Sequence, residues 1–210
     1  MIYTFTADPA GWDGSLHDLA YRILEDGLSG LGWIGSDPGY GTDPYGKPFF
    51  TGEGMPEFNI SHCRTLVAAA AAPCGIPVGI DAERRFSPGT ALLAEICSKE
   101  ELEILQSAPL GRRDSLAGLL WSRKESWLKW KGTGLRIRLS SFSVLAKDEE
   151  SAAGPGGGWI PVKRTVRGEK VLFFEQQGAD HTLCLCCEDS PGIDAAPPRM
   201  CVPGQGETRI

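Results

Sequence analysis

From Asp114 onward the apolar residues Leu116, Leu119, Leu120, Trp127 and Leu128 recur at helical intervals with no proline between them, and glycines follow at 132 and 134. The spacing predicts a long helix with one buried stripe that stops before Gly132. Trp121, Glu125 and Lys129 lie four apart on it, which stacks a ring, a carboxylate and an ammonium along one side. Nearer the N-terminus, residues 2–6 alternate like a strand, and apolar positions 16, 19, 20, 23, 24 and 28 mark an amphipathic helix over 16–28. Residues 58–63 alternate apolar and polar and 66–72 are small and apolar, predicting a hairpin that turns at Arg64 and Thr65. In 76–83 a strand turns Ile76, Val78 and Ile80 toward a core and projects Asp81 and Glu83 together from the opposite face.

Ser98 with Glu101 three residues on is a capping box that opens a helix through Leu105. The runs 142–145, 159–166, 170–174 and 182–187 are rich in β-branched and aromatic residues and read as an antiparallel meander. Glycine, proline, aspartate and tyrosine make 30–46 a long loop, and Gly154-Pro155-Gly156-Gly157-Gly158 makes 148–158 a flexible one. Residues 191–210 are dominated by proline, glycine and polar side chains and are expected to be disordered or loosely attached.

With 210 residues, 41% hydrophobic, the chain can bury the core of one domain or two small ones. No run approaches the ~20 apolar residues that cross a bilayer, and no basic region precedes an apolar core at the N-terminus, so the expectation is a cytoplasmic protein with no membrane partner. Seven cysteines, an odd count, at 63, 74, 97, 184, 186, 187 and 201, are expected to be reduced and mostly buried. In 182–187 a strand would alternate cysteine with Leu183 and Leu185, so a core role for Cys184, Cys186 and Cys187 outweighs a zinc site with His181.

The net charge of −6 argues against nucleic acid as a partner. Between Gly111 and Ser140, however, eight Lys or Arg (112, 113, 123, 124, 129, 131, 136, 138) meet only Asp114 and Glu125. That is either a basic surface for phosphates or an acidic partner, or a solvated helix face. Likewise Glu125 and Lys129 by themselves make a solvated i,i+4 pair worth roughly 0.3–0.5 kcal/mol. Asp81 and Glu83 can share one hard cation through oxygen ligands, although an isolated D-x-E is more often a polar outer face.

Four motifs in order change those odds: Tyr45-Gly46-Lys47-Pro48, Phe58-Asn59-Ile60-Ser61-His62, Gly79-Ile80-Asp81-Ala82-Glu83, and Trp121-Ser122-Arg123-Lys124-Glu125-Ser126 followed by Lys129. Together, from about Tyr45 to about Glu188, they resemble the 4′-phosphopantetheinyl transferases of the surfactin-synthetase-activating type. The resemblance implies an α+β fold of two similar halves, each a small antiparallel sheet with a long helix, and coenzyme A in the cleft between them. Residues 1–75 would form the N-terminal half, short for the family, and 76–190 the half with metal and catalytic residues, followed by the 191–210 tail.

The implied reaction moves the phosphopantetheine arm of coenzyme A to a serine of an acyl or peptidyl carrier protein and releases 3′,5′-ADP. The implied metal is Mg²⁺, with Mn²⁺ as an alternative. Asp81, Glu83 and Glu125 match the family's metal carboxylates, Glu125 also being a candidate acceptor of the serine proton. Lys129 matches a contact to the diphosphate that stabilises the leaving group. Ser61 and His62 match residues that hold coenzyme A phosphates, and Lys47 one near the adenosine 3′-phosphate; Lys124 matches without an assigned role. Two halves in one chain would make a monomer sufficient.

Two departures stand out. Arg22 is the only lysine or arginine before Tyr45, which leaves Lys47 and His62 as the expected 3′-phosphate contacts, and Cys63 stands where serine is usual. Two further readings stay open at this level: a non-catalytic coenzyme A or nucleotide binder, and an interaction module whose basic helix docks acidic proteins.

Overall fold

The computed structural model describes all residues except 36, 37, 86, 148–157, 194–198 and 202–210. Its organising strand is the seven-residue run Leu66–Ala72, every residue of which is buried. Successive side chains point to opposite faces of a strand, and here both faces are covered. Val67, Ala69 and Ala71 pack toward a helix, while Leu66, Ala68, Ala70 and Ala72 pack toward a second sheet. Small side chains suit a strand held between two layers, and the resulting pattern is continuous rather than alternating.

In chain order the elements are β1 (Tyr3–Ala7), α1 (Leu16–Gly30), β2 (Tyr40–Thr42), β3 (Pro48–Phe50), β4 (Glu57–Cys63), β5 (Leu66–Ala72), β6 (Gly79–Arg84), α2 (Thr90–Ile96), α3 (Lys99–Ser107), α4 (Leu110–Lys131), β7 (Ile160–Val166), β8 (Glu169–Gln177), β9 (His181–Glu188) and β10 (Arg199–Cys201). The fold is α+β. One sheet has the order β10-β1-β5-β4, the other β6-β9-β8-β7, and β2 pairs with β3. All pairings are antiparallel except β10 with β1. The amphipathic face of α1 (Leu19, Ala20, Ile23, Leu24, Leu28) covers one side of the first sheet. α4 covers one side of the second, with Leu116, Leu120, Trp127 and Leu128 against Val171, Phe173, Cys184 and Cys186. The remaining faces of the two sheets meet through Ala68, Ala70, Ile80, Ala82, Phe174 and Leu185, giving a helix–sheet–sheet–helix order.

The sheets also touch at an edge. The Asn59 side-chain oxygen accepts from the backbone N–H of Ile80 at 2.8 Å, and Ser61 Oγ accepts from that of Ala82 at 3.0 Å. Two side chains of β4 thus satisfy donors on the free edge of β6 that would otherwise be buried without partners.

Several expectations are corrected. β6 begins at Gly79, because Ile76 is in a turn whose N–H reaches Pro73 O at 3.1 Å. The segment 142–145 joins no sheet; it follows a 3₁₀ turn at Leu139–Ser141, and the backbone N–H groups of Val144 and Leu145 go to the Glu101 carboxylate. Inside the expected 30–46 loop, Tyr40–Thr42 pairs with Pro48–Phe50. α4 starts at Leu110, earlier than Asp114, and α2 carried no cap that would announce it. In the tail, Arg199–Cys201 runs parallel to Tyr3–Phe5; residues 194–198 and 202–210, like most of the 148–158 loop, lie outside the described residues. The Ser98–Glu101 capping box is present as read. Cys97, Cys184, Cys186 and Cys187 are buried and Cys74 is exposed; burial pushes the Cys184 and Cys186 thiols well up, so they act as core. Among the described residues no helix is long and apolar enough to cross a membrane.

Gly79 sets how closely α4 lies on β6. A Cβ there would overlap the Ser126 carbonyl and the Trp130 backbone nitrogen, neither of which can rotate away. Gly79→Ala is expected to lower stability by about 2–3 kcal/mol, read as a fall in the urea midpoint at unchanged m-value.

Candidate active site

Three elements converge where β4, β6 and α4 meet. β6 carries Asp81 and Glu83 on the face turned to α4, because Ile80 and Ala82 take the opposite face into the core between the sheets. α4 answers with Trp121, Glu125 and Lys129. Lys129 Nζ donates to Asp81 Oδ1 at 2.7 Å and to Ser61 Oγ at 2.9 Å, and Trp121 Nε1 donates to Glu83 Oε1 at 2.9 Å. The ammonium therefore crosses to β6 rather than pairing along the helix with Glu125. These groups, with His62 of β4 and His17 and Tyr21 of α1, line a cleft of about 670 Å³. A smaller cleft of about 200 Å³ adjoins it, sharing Glu125 and Lys129 and adding Tyr45, Lys47 and Gly132.

The acids are crowded. Burial, then the neighbouring Asp81, pushes the carboxyls of both Glu83 and Glu125 above the usual range; Lys129 works against this at both, as does the Trp121 hydrogen bond at Glu83. Asp81 is only 2% exposed, and its Oδ2 is buried with no hydrogen-bond partner among the described residues. An unpartnered buried carboxylate oxygen in a cleft lined by two further carboxylates suits a hard cation with oxygen ligands. As arranged, no three His, Cys, Asp or Glu side chains among the described residues form a ready-made metal site.

Lys47 is engaged elsewhere. Its ammonium donates to Val78 O at 3.2 Å and Trp130 O at 3.4 Å, while its backbone N–H and that of Tyr45 go to Asp43 Oδ1, both at 2.8 Å. It ties the β2–β3 turn to the C-terminus of α4, and burial lowers its pKa. Ser61 is also committed, to Ala82, Asp81 and Lys129. Arg22 lies on another side of α1, paired with Asp26 at 3.9 Å and lining a separate groove with Thr65 and His181. His17 and Tyr21 are visible in the sequence only as an i,i+4 spacing on a helix, and Asn59 only as part of its motif; their place in the cleft is not legible there.

Two of the eight cations between Gly111 and Ser140 are not on a solvated face. Arg123 and Lys124 are wholly buried. Arg123 pairs with Glu175 and donates to Val144 O at 3.0 Å. Lys124 pairs with Glu101 and donates to the carbonyls of Ile96, Leu139 and Phe142 at 2.7–2.8 Å. These two cations lock the helix just before Glu125.

The family model of the 4′-phosphopantetheinyl transferase superfamily matches residues 77–186, which spans β6 through most of β9. The chain belongs to this superfamily. It is 38% identical over 120 residues to a 4′-phosphopantetheinyl transferase of Bacillus subtilis, covering 55% of this chain and 52% of that protein. To the 4′-phosphopantetheinyl transferase Sfp of Bacillus subtilis strain 168 it is 35% identical over 109 residues, 52% of this chain and 48% of that one. To the 4′-phosphopantetheinyl transferase gsp of Aneurinibacillus migulanus it is 29% identical over 143 residues, 68% and 55%. The chain thus spans about half the length of the curated relatives it matches. The superfamily match covers all three cleft carboxylates and Lys129, while His17, Lys47, Ser61 and His62 lie before it.

Proposed function

We propose that this chain transfers the 4′-phosphopantetheine arm of coenzyme A to a serine hydroxyl of an acyl or peptidyl carrier protein. The serine Oγ–P bond forms, the P–O bond of the diphosphate breaks, 3′,5′-ADP leaves and the serine proton passes to a base. The observation that carries this reading is the cluster of Asp81, Glu83, Glu125 and Lys129 in one cleft, with Asp81 Oδ2 unpartnered. The superfamily match supports the same chemistry.

Asp81, Glu83 and Glu125 would hold Mg²⁺, or Mn²⁺, which when bound neutralises diphosphate oxygens as a Lewis acid. Lys129 has three N–H donors, of which two go to Asp81 and Ser61. The third is available to a phosphate oxygen, and charge grows on the leaving side as the P–O bond breaks. Glu125 lines both adjoining clefts and is the proposed acceptor of the serine proton. Ser61 acts through Lys129, holding its ammonium in place; His62 is proposed to bind phosphate.

We further propose that the sheet containing β4 with α1 and the sheet containing β6 with α4 are the two halves between which coenzyme A lies, divided near residue 76. A cytoplasmic monomer is the proposed working form, supported by two halves in one chain.

Intact mass measurement of several apo-carrier proteins after incubation with this chain, coenzyme A and Mg²⁺ tests the reading. Gain of one phosphopantetheine arm supports it; unchanged masses under conditions where coenzyme A binds would instead make this a binding relative. Lys129→Ala should lower the maximal rate more than it weakens coenzyme A binding, since the interaction strengthens in the transition state. A pure binding defect at unchanged maximal rate would contradict that role.

A further inference from the structure

One edge of β6 is paired with β9, and among the described residues no strand lies along the other. In an antiparallel pair the backbone groups of alternate residues turn away from the partner strand; on β6 these include the N–H groups of Ile80 and Ala82. Side chains stand in for the missing neighbour. Lys47 Nζ donates to Val78 O at 3.2 Å, Asn59 Oδ1 accepts from the Ile80 N–H at 2.8 Å, and Ser61 Oγ accepts from the Ala82 N–H at 3.0 Å. The contacts fall at every second residue and so cover about 13 Å of edge, at roughly 3.3 Å per residue. Asp81 lies between Ile80 and Ala82, and Glu83 follows Ala82. The backbone that carries both cleft acids is therefore held from outside its own sheet.

Within this set Ser61 also touches Lys129 and Asp81, and Lys47 also holds Trp130 O. Asn59 differs. It is 5% exposed and lines both adjoining clefts, yet its side-chain oxygen goes to the β6 backbone rather than to a cleft acid or to Lys129. Ile80 is wholly buried, so an N–H released there would have no water to turn to, and β6 would have to shift to find a partner. On the opposite side α4 cannot follow freely, because Gly79 already brings β6 against the Ser126 and Trp130 backbone. A shift of β6 therefore changes where Asp81 and Glu83 stand relative to Glu125 and Lys129. We infer that Asn59 is a positioning residue of this cleft: by holding the free edge of β6 at Ile80 it fixes Asp81 and Glu83 against α4. Its effect on transfer rests on the proposed transferase reading; its effect on the placement of the acids does not.

Two measurements on the full chain test this, each with wild type, Asn59→Leu and Asn59→Asp, after urea unfolding has shown that the variants are folded. Leucine is similar in size and has no acceptor. Aspartate keeps an acceptor oxygen and lacks the amide N–H donors. The first measurement is Mn²⁺ titration followed by electron paramagnetic resonance, without coenzyme A. Asn59→Leu should bind Mn²⁺ about tenfold more weakly, the usual cost of losing a group that orients metal carboxylates, and Asn59→Asp at least as tightly as wild type. Asparagine and leucine are both neutral, so weakening reports displaced carboxylates and not a changed charge. The second is carrier-protein transfer at saturating coenzyme A, where Asn59→Leu should lower the maximal rate by about tenfold or more and Asn59→Asp should restore most of it. Should Asn59→Leu not fold, Asn59→Ala carries the same expectations. Unchanged Mn²⁺ affinity in the acceptor-free variant, or a wild type that takes up no Mn²⁺, overturns the inference. Equal loss of rate in Asn59→Leu and Asn59→Asp overturns it too, because the amide would then touch the substrate directly. If the wild type transfers nothing while the Mn²⁺ pattern holds, Asn59 still positions the acids and the transferase reading fails.

Discussion

Lys124→Met lowers the free energy of unfolding by about 3–5 kcal/mol, the usual consequence of removing one partner of a buried ion pair. Lys124 and Glu101 are both fully buried, and Lys124 also satisfies three backbone carbonyls. Without the ammonium, the Glu101 carboxylate keeps its donors at Ser98, Val144 and Leu145 but loses its counter-charge. The three carbonyls are left in a space the methionine side chain fills without bonding. Adding Glu101→Gln removes the stranded charge and keeps one acceptor oxygen, enough for the Val144 and Leu145 N–H groups but not also for that of Ser98, and should recover part of the loss, a coupling that a double-mutant cycle reads directly. Urea unfolding of the two single variants and the double variant measures it. A cost below about 1 kcal/mol for Lys124→Met, against the expected range, would mean that the pair does not anchor the helix. The loss would reach function indirectly, because Lys124 precedes Glu125 and holds that turn of α4 against 139–145.

Asp81→Asn keeps the shape of the side chain and removes its charge, and transfer is expected to fall by about 10²–10³-fold or more, the range seen when one charge-stabilising group leaves a reacting centre. Stability should change far less than for Lys124. The partner left behind, Lys129, has a side chain 27% exposed and can turn to solvent, whereas the partner of Lys124 cannot. Transfer rate by carrier-protein mass, coenzyme A affinity by calorimetry and the thermal midpoint together decide the point. A rate within tenfold of wild type would remove Asp81 from the reacting centre; a collapsed thermal midpoint would instead make its role structural.

What could be read along the chain was local. The capping box at Ser98 and Glu101 involves residues three apart and depends on little else. The alternation through Ile80–Glu83 assigned faces correctly because β6 is covered differently on its two sides. The segment 142–145 misled for the opposite reason. Its β-branched and aromatic residues are buried in the core under α4, yet its backbone groups are taken by Glu101, Arg123 and Lys124 in place of a neighbouring strand. β-Propensity records fitness for burial as much as for pairing. The β2–β3 pairing was hidden by turn-rich composition, its two strands being only three residues long.

The sequence alone determined the helical stripe of α4 and the two acids on one face of β6, since each rests on a period of 3.6 or 2 between near neighbours. Only the tertiary structure decided what the charges do. Arg123 and Lys124 look like Lys129 in the primary sequence, but the first two point into the core, to Glu175 and Glu101, while the third reaches Asp81 at the cleft. Lys47 finds two carbonyls from residues 31 and 83 positions away, and His17 meets His62 across 45 residues of chain. Charge and hydrogen bonding act through space and depend on burial, so the partner of each ionisable group is a property of the packed layers and is not written in its neighbours.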